Sequence, residues 1–468
     1  MYRNKGTITV FLSLISMLFL SLFCTMAESV RVQAARFQAA AAFDMGLFSI
    51  FGEYDRVLLE EYDLWFLDGS SEEQKIREVL ETKLEKYIQP NINPRYNLAA
   101  GRSWDVFPTE LDRCTVDKYA LATDHGGQVF YSQAVENQKE LFVGEAASAL
   151  KKNIKQMEEG HQKGEEYQNE EQKADEEYQR AQAAQMEEKK RQESEKENAE
   201  KQEESDTDIK ETEAVQAKVE NPLDQIKKIK SMGILGLVLK DGTVVSDKTI
   251  ERKNLPSERN LQKGSLLVNE IFADPVSEAI FLNYLQKHFQ CAVDEGGKHQ
   301  KGSKEHSLSY ELEYIIGGQK SDRENLKKTV NRILLIREGM NYATLAKSAK
   351  MRGEAMALAA AITGAAALPE FAGALQKLLM LAWAYGESLL DVRTLLAKGK
   401  VPMLKAETEW KLPLEKLGML AEVLKECDAG GGNGQSYEDY LSGLLILGKK
   451  QQRNLRVLDL IECNRRMR

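Results

Sequence analysis

The sequence is poor in the residues that most often carry chemistry or covalent staples. It has 5 histidines and 5 cysteines in 468 residues. His125, His161, His288, His299 and His306 are scattered, and none shares a metal-ligand spacing with a cysteine or carboxylate. Cys24, Cys114, Cys291, Cys427 and Cys463 lie far apart without a CxxC, which excludes a disulfide-dense scaffold. A Cys427–Cys463 bridge is one reading of the distal pair; free, buried thiols are the reading adopted. The nucleophile elbow G-x-S-x-G and the phosphate loop GxxxxGK[ST] are both missing. The net charge is −9, and no basic face points to nucleic acid. Only 9 prolines interrupt the chain, leaving room for long helices.

What is present begins at the N-terminus. Arg3, Lys5 and Gly6 precede an uncharged run over residues 7–27, which Glu28 and Arg31 close. About 20 residues at ~1.5 Å each span the roughly 30 Å hydrocarbon core of a bilayer. Val10, Leu14, Leu18 and Phe23 belong to an apolar surface that surrounds the predicted helix, and the intervening hydroxyls can bond back to their own backbone. Positive charge on the short side predicts a cytoplasmic N-terminus and an extracytoplasmic remainder. A retained anchor is the reading adopted. Secretory cleavage after Ala27 and prepilin-type cleavage between Gly6 and Thr7 are the alternatives.

The expected organisation is a tail (1–6), a transmembrane helix (7–27), a membrane-proximal α+β region (28–150), a charged low-complexity spacer (151–220) and a distal α+β domain (221–468). Helix is expected to continue unbroken past the membrane, because Ala34, Phe37, Ala41, Leu47, Phe48 and Phe51 keep an apolar face. A second helix, over 72–87, should stop at Pro90 and Pro94. Residues 111–122 suggest a strand, and 129–150 a helix.

The spacer is about half charged and nearly without large aliphatics, so it reads as a solvated helix fraying toward 205–208. Tyr167, Ala174 and Ala181 fall seven apart, which raises a coiled coil, but no Leu or Ile seam accompanies them.

Beyond Pro222 the pattern alternates. Residues 234–239 and 244–245 about Asp241-Gly242 predict a hairpin. The spacing at 308–316 predicts a half-buried strand, Tyr and Leu inward and glutamates outward, and a short strand is expected at 401–405. Helices are expected from Asp274-Pro275, from the Ser321-x-x-Glu324 cap, over 342–363, 369–398, 436–447 and 454–464. The fold class is thus α+β, helix-dominated. Alanine-rich 355–368 is too short to span a bilayer and reads as closely packed helix.

Glu387 and Asp391 lie four apart on one helix face beside Trp383 and Arg393. Paired carboxylates in this register can serve acid/base catalysis. A charge pair inside a helical bundle is the reading adopted, and Arg337, Glu338 and Asn341 are read likewise as polar groups fixing helix packing. No enzyme activity, no catalytic residue, no cofactor, no metal and no small-molecule substrate is expected.

Several stretches together resemble the DUF5702 family of clostridial membrane proteins. They are Lys5-Gly6-Thr7-Ile8-Thr9-Val10-Phe11-Leu12 with Glu28 and Arg31, Tyr310-Glu311-Leu312-Glu313-Tyr314-Ile315-Ile316, Ile336-Arg337-Glu338 with Asn341, Ala382-Trp383-Ala384-Tyr385-Gly386-Glu387-Ser388 with Asp391-Val392-Arg393, Lys400-Val401-Pro402, and Asp459-Leu460-Ile461-Glu462-Cys463-Asn464. The N-terminus, with Arg36-Phe37-Gln38-Ala39-Ala40 and Phe43-Asp44, is similar to the TadE and TadG minor pseudopilins. The resemblance implies an accessory envelope component of a tight-adherence (Tad) pilus or secretion machine in a Gram-positive cell, with the membrane and other envelope proteins as partners. Phe11 stands where most prepilins carry a glutamate, so the implied role is accessory rather than polymerising.

Overall fold

The computed structural model describes residues 5–68, 76–92, 96–98, 102–104, 109–139, 144–200, 221–266, 274–294, 306–364, 369–427 and 431–467. His299, Pro94, Gly430 and the fraying expected at 205–208 lie outside them. Two compact units result. The first takes Met1–Asp124 with Gln262–Glu270; the second takes His125–Leu261 with Ile271–Arg468.

The first unit is built on α1 (Lys5–Phe51), 47 residues without a break. Its N-terminal part is the one helix among the described residues long and apolar enough to cross a membrane. Val10, Leu14 and Phe19 are 60%, 61% and 53% exposed, so no protein surface covers them. Thr9, Ser13, Ser21 and Thr25 each return their hydroxyl to the carbonyl three residues back, at 2.8–2.9 Å, so these four donors are satisfied within the helix itself. Further on, Ala42 and Ile50 are buried against Leu84, Ile88 and Ile92 of α3 (Ile76–Ile92) and against Cys114. Between them come α2 (Arg56–Tyr62), capped by Asp55, and after them a three-residue ribbon, β1 (Tyr96–Leu98) with β2 (Arg102–Trp104). Residues 111–122, expected as a strand, form no regular ladder. The Tyr119 carbonyl accepts from Ser265 and Leu266 at 2.9 Å each, and the Leu121 carbonyl accepts from Asp124 in a turn at 3.0 Å.

The second unit is helical: α4 (Asp124–Gln138), α5 (Gly144–Glu200), α6 (Pro222–Ser231), α7 (Ile234–Val238), α8 (Pro275–His288), α9 (Glu311–Gly317), α10 (Asp322–Lys347), α11 (Ala349–Thr363), α12 (Pro369–Leu396), α13 (Leu420–Glu426), α14 (Tyr437–Leu447) and α15 (Lys450–Arg466). Asp274, Ser321 and Ser436 cap α8, α10 and α14 by accepting the N–H three residues on, as their positions before helical runs predict. Ser348 splits the expected 342–363 helix, ending α10 and capping α11.

The α+β expectation is corrected here: outside the short β1–β2 ribbon the described residues form helices and isolated bridges. The hairpin at 234–245 is instead α7 followed by a turn. The strand at 308–316 is α9. Its alternation misled because Glu311 and Glu313, read as outward, are both fully buried, Glu311 accepting from the Gln290 N–H and Glu313 from the Ala292 N–H through one oxygen, its other oxygen having no partner among the described residues. Val401 makes a single antiparallel bridge with Gln435 in place of a strand.

The charged spacer is also corrected. Over its described part it is α5, which packs against α8, α10, α12 and α14. Met157, Tyr167 and Ala174 are almost completely buried, and with Gly160, Gly164, Glu171, Tyr178, Ala181 and Gln185 they form a seam at alternating three- and four-residue steps. The seven-residue recurrence is genuine, but its partner is the same chain. Small residues let the backbones meet. A Cβ on Gly339 of α10 would fall 2.4 Å from the Gly164 nitrogen, and one on Gly164 would fall 2.7 Å from the Leu335 carbonyl oxygen. From Met186 onward the described side chains of α5 are exposed.

Candidate functional site

The polar residues singled out on α10 and α12 meet in the interior of the second unit. Four-residue spacing places Arg337 with Asn341 on one face of α10, and Glu387 with Asp391 on one face of α12. Arg337 donates to Asp391 Oδ2 from Nε at 3.0 Å and from Nη2 at 2.8 Å. Its other donors reach the carbonyls of Pro402 and Met403 at 2.9 Å, and Asn341 Oδ1 at 2.9 Å. Asn341 in turn donates to Ser388 and to Asp391, both at 2.9 Å. Lys405, from the segment after α12, inserts its ammonium between Glu387 and Asp391. Glu387 also accepts from the backbone N–H groups of Lys411, at 3.0 Å, and Leu412, at 2.8 Å.

Two cations and two carboxylates thus balance where Arg337, Glu387 and Asp391 are fully buried and Lys405 nearly so. Burial disfavours ionisation of Asp391, but the charges of Arg337 and Lys405 outweigh it and hold the carboxyl below its usual range. Burial and the adjacent Asp391 push Glu387 the other way, above it, against the pull of Lys405. The arrangement is a locked ion network. Every carboxylate faces a fixed cation, and Trp383, whose indole N–H donates to the Leu412 carbonyl at 2.6 Å, closes one side against Trp410. This is the geometry of the packing role adopted for the pair.

Glu338, next to Arg337 in sequence, projects elsewhere. It is nearly buried, and burial pushes its carboxyl up to about 8, the charge of Lys230 opposing and that of Glu171 adding. Lys230 pairs with Glu171 and lies 4.8 Å from the Tyr385 ring centre. Glu313 is the second such group, pushed up to about 7 by burial although the Ala292 N–H and the Tyr437 hydroxyl donate to it.

The remaining singled-out residues are not drawn together. Gly6 and Thr7 lie on the exposed first turns of α1. His306 Nδ1 lies 2.9 Å from Glu311, which also accepts from Asn464 at 2.8 Å. His161 is 3.8 Å from Glu165, and His288 packs against Tyr284. All five cysteines are free. Sequence reasoning missed one cluster: Cys291, Asp294 and Glu438 bring one potential metal-ligand atom each within 4.8 Å of one another. Its donors suit a turn better than an ion. Asp294 accepts the Cys291 N–H at 2.8 Å, and burial, with Glu313 nearby, pushes the thiol up and keeps it protonated. The C-x-x-D spacing was the available signal.

The distal stretches that carried the resemblance prove to be contact partners. Arg337 binds Asp391 and the Pro402 carbonyl; Tyr314 donates to Asp459 at 2.7 Å; Asn464 joins Glu311. The profile of the family described as "Family of unknown function (DUF5702)" matches residues 212–468. That is more than half of the chain, and the protein belongs to this family. No curated protein and no solved structure matches it.

Proposed function

We propose that the chain is a single-pass envelope protein that serves a Tad-type pilus or secretion machine as an accessory, minor pseudopilin-like component. The observation that carries the proposal is α1: a helix with a fully uncovered apolar half and an amphipathic half seated on α3, preceded by Lys5-Gly6. A pilin-like stem has this build, and the apolar half would pack in lipid and against other helices of the assembly. The N-terminus would be cytoplasmic and the second unit displayed outside. The second unit would act as a rigid body, because its charged interior is spent on internal packing. Other envelope proteins are the proposed partners; nucleic acid is not.

Mass spectrometry of the N-terminus of protein isolated from native membranes tests the anchor. A chain beginning at Met1 supports retention, one beginning at Thr7 supports prepilin-type processing, and one beginning at Glu28 overturns both. Crosslinking followed by purification through an epitope tag tests the machine; recovery of no pilus or Tad component overturns it. Phe11 in place of the prepilin glutamate favours a second reading, an extracytoplasmic scaffold or sensor unrelated to pili, and that outcome would select it.

A further inference from the structure

Positive charge without acidic partners gathers in the second unit at the C-terminal end of α9. A cavity of about 460 Å³ opens there, within the roughly 300–1,000 Å³ usual for ligand sites. Lys328 and Arg332 of α10 and Arg456 of α15 line it, with Lys449 at the start of α15. Ile315, Ile316, Leu444 and Leu445 supply an apolar part of the wall. No carboxylate is among its described lining residues, and Lys328, Arg332 and Arg456 form no ion pair among the described residues. Arg453, also in the lining, is neutralised by Glu278 at 2.7 Å.

Helix capping accounts for part of this charge. Lys328 Nζ donates to the Gly317 carbonyl at 2.9 Å, and Arg456 Nη1 to those of Ile315 and Ile316 at 2.8 and 2.9 Å. Yet a helix C-terminus carries only about −0.5 of an elementary charge, against three full positive charges. Asp459 acts on Arg456 at a distance without pairing with it, its oxygens accepting instead from Tyr314 at 2.7 Å and from the Ser257 N–H at 2.9 Å. Burial, together with the charges of Arg332, Arg456 and Arg252, lowers the Lys328 ammonium from its usual range, as expected of unneutralised repulsion.

The cluster is also held in place. Gly318 adopts the left-handed conformation (φ +62°) and lies directly under Arg456; a Cβ there would fall 2.4 Å from the guanidinium carbon. The Arg456 Nε is buried with no acceptor. Cations fixed in advance around a partly apolar cavity suit an anion of more than one charge. A carboxylate would neutralise one of the three, whereas a phosphate offers two charges and tetrahedral oxygens that match guanidinium forks.

We propose that this cavity binds a phosphate group, its oxygens against Lys328, Arg332 and Arg456 and any apolar body it carries against Ile315, Ile316, Leu444 and Leu445. The phosphate would come from a free phosphate compound or from a lipid headgroup.

The test uses the full chain in a non-ionic maltoside detergent. Calorimetric titration is carried out with sodium pyrophosphate and, separately, with dihexanoyl phosphatidic acid, a phosphomonoester, against sodium chloride of equal ionic strength and dihexanoyl phosphatidylcholine. Lys328→Gln with Arg332→Gln should weaken binding at least about tenfold, the loss of two charge-assisted contacts. The charge-preserving pair Lys328→Arg with Arg332→Lys, and Lys350→Gln on the exposed face of α11, should retain it. Arg332→Gln alone serves if the neutral pair fails to fold. This pattern with pyrophosphate supports a free phosphate ligand, and with phosphatidic acid alone a lipid headgroup. Binding of neither probe, or binding that the neutral variants leave intact, overturns the proposal.

Discussion

The two longest helices invert the usual relation between composition and burial. In α1 the most apolar stretch of the chain is exposed, with Val10, Leu14 and Phe19 all more than half open. In α5, a helix dominated by Glu, Gln and Lys, Met157, Tyr167 and Ala174 are almost sealed. The comparison teaches that mean hydropathy reports the solvent a helix is made for, whereas burial within a protein needs only one stripe with the right period. For α1, in the anchor role proposed for it, that solvent is lipid, and every direction must be apolar. For α5 it is water on most sides and α10 and α12 on one, so a seam of Gly, Ala and Tyr suffices. Small residues bury little area each, and what they gain is approach. The Gly164–Gly339 crossing puts backbone against backbone, letting Tyr167 reach across to donate to the Leu381 carbonyl at 2.9 Å.

The comparison breaks most easily in the interior that α5 helps to cover. Asp391→Ala leaves Arg337 and Lys405 facing each other without their shared carboxylate. Removing one partner of a buried ion cluster costs about 3–5 kcal/mol, so urea unfolding of the full chain should show a loss of that size. A loss below about 1 kcal/mol would mean that the network is hydrated and that the second unit is not held by it. Next in size is Tyr167→Ala on the α5 seam. Truncation of a buried aromatic costs about 3 kcal/mol or more, with a hydrogen bond lost besides. If α5 were a solvated spacer, the same change would leave the denaturation midpoint where it was.

How far the sequence revealed these features depended on what each signal measures. Caps are local, and Asp274-Pro275, Ser321 and Ser436 start helices where their chemistry says they should. The continuation of α1 past the apolar run followed from its alanines and aromatic spacing. The pairing of Glu387 with Asp391 was legible as a helix face, but Lys405 was not, because nothing in its neighbourhood marks a lysine destined for the interior. The failures share one cause. Glu311 and Glu313 were assigned to solvent because of their charge, which turned a buried helix into a strand. The glutamates and lysines around Tyr167 likewise averaged its seam away. Charge predicts exposure only where the fold supplies no partner, and partners distant in sequence, such as Asn464 for Glu311 or Tyr437 for Glu313, cannot be read locally.

A pH series sharpens the comparison at the α5–α10 contact. Glu338 faces Glu171 of α5, with Lys230 of α6 and Tyr385 of α12 beside it. Unfolded, it ionises near 4.5; folded, at about 8. Between those values the folded protein holds a proton that the unfolded chain has released, so this group's contribution to stability falls as pH rises. The slope is at most about 1.4 kcal/mol per pH unit. Glu338→Gln should remove it, leaving the variant more stable relative to wild type at pH 8 than at pH 5.5 in parallel urea titrations. An unchanged difference between the two pH values would show that water reaches the carboxyl from the α5 side.

The smallest expected effect is the most direct control on α1. Leu14→Ala deletes as much apolar surface as many core substitutions that cost 2–5 kcal/mol, but Leu14 is 61% exposed and touches no core. In detergent the loss should stay within about 0.5 kcal/mol, as for other substitutions away from packed contacts, because detergent covers alanine and leucine alike in the folded and unfolded states. The same measurement on membranes should find the chain still retained, since the remaining run exceeds what insertion requires. A loss near that of Tyr167→Ala would place Leu14 in a protein interface that survives detergent. In that case α1 would be covered by another helix of an assembly rather than by lipid, and the two long helices would differ only in whether their partner is encoded in the same chain.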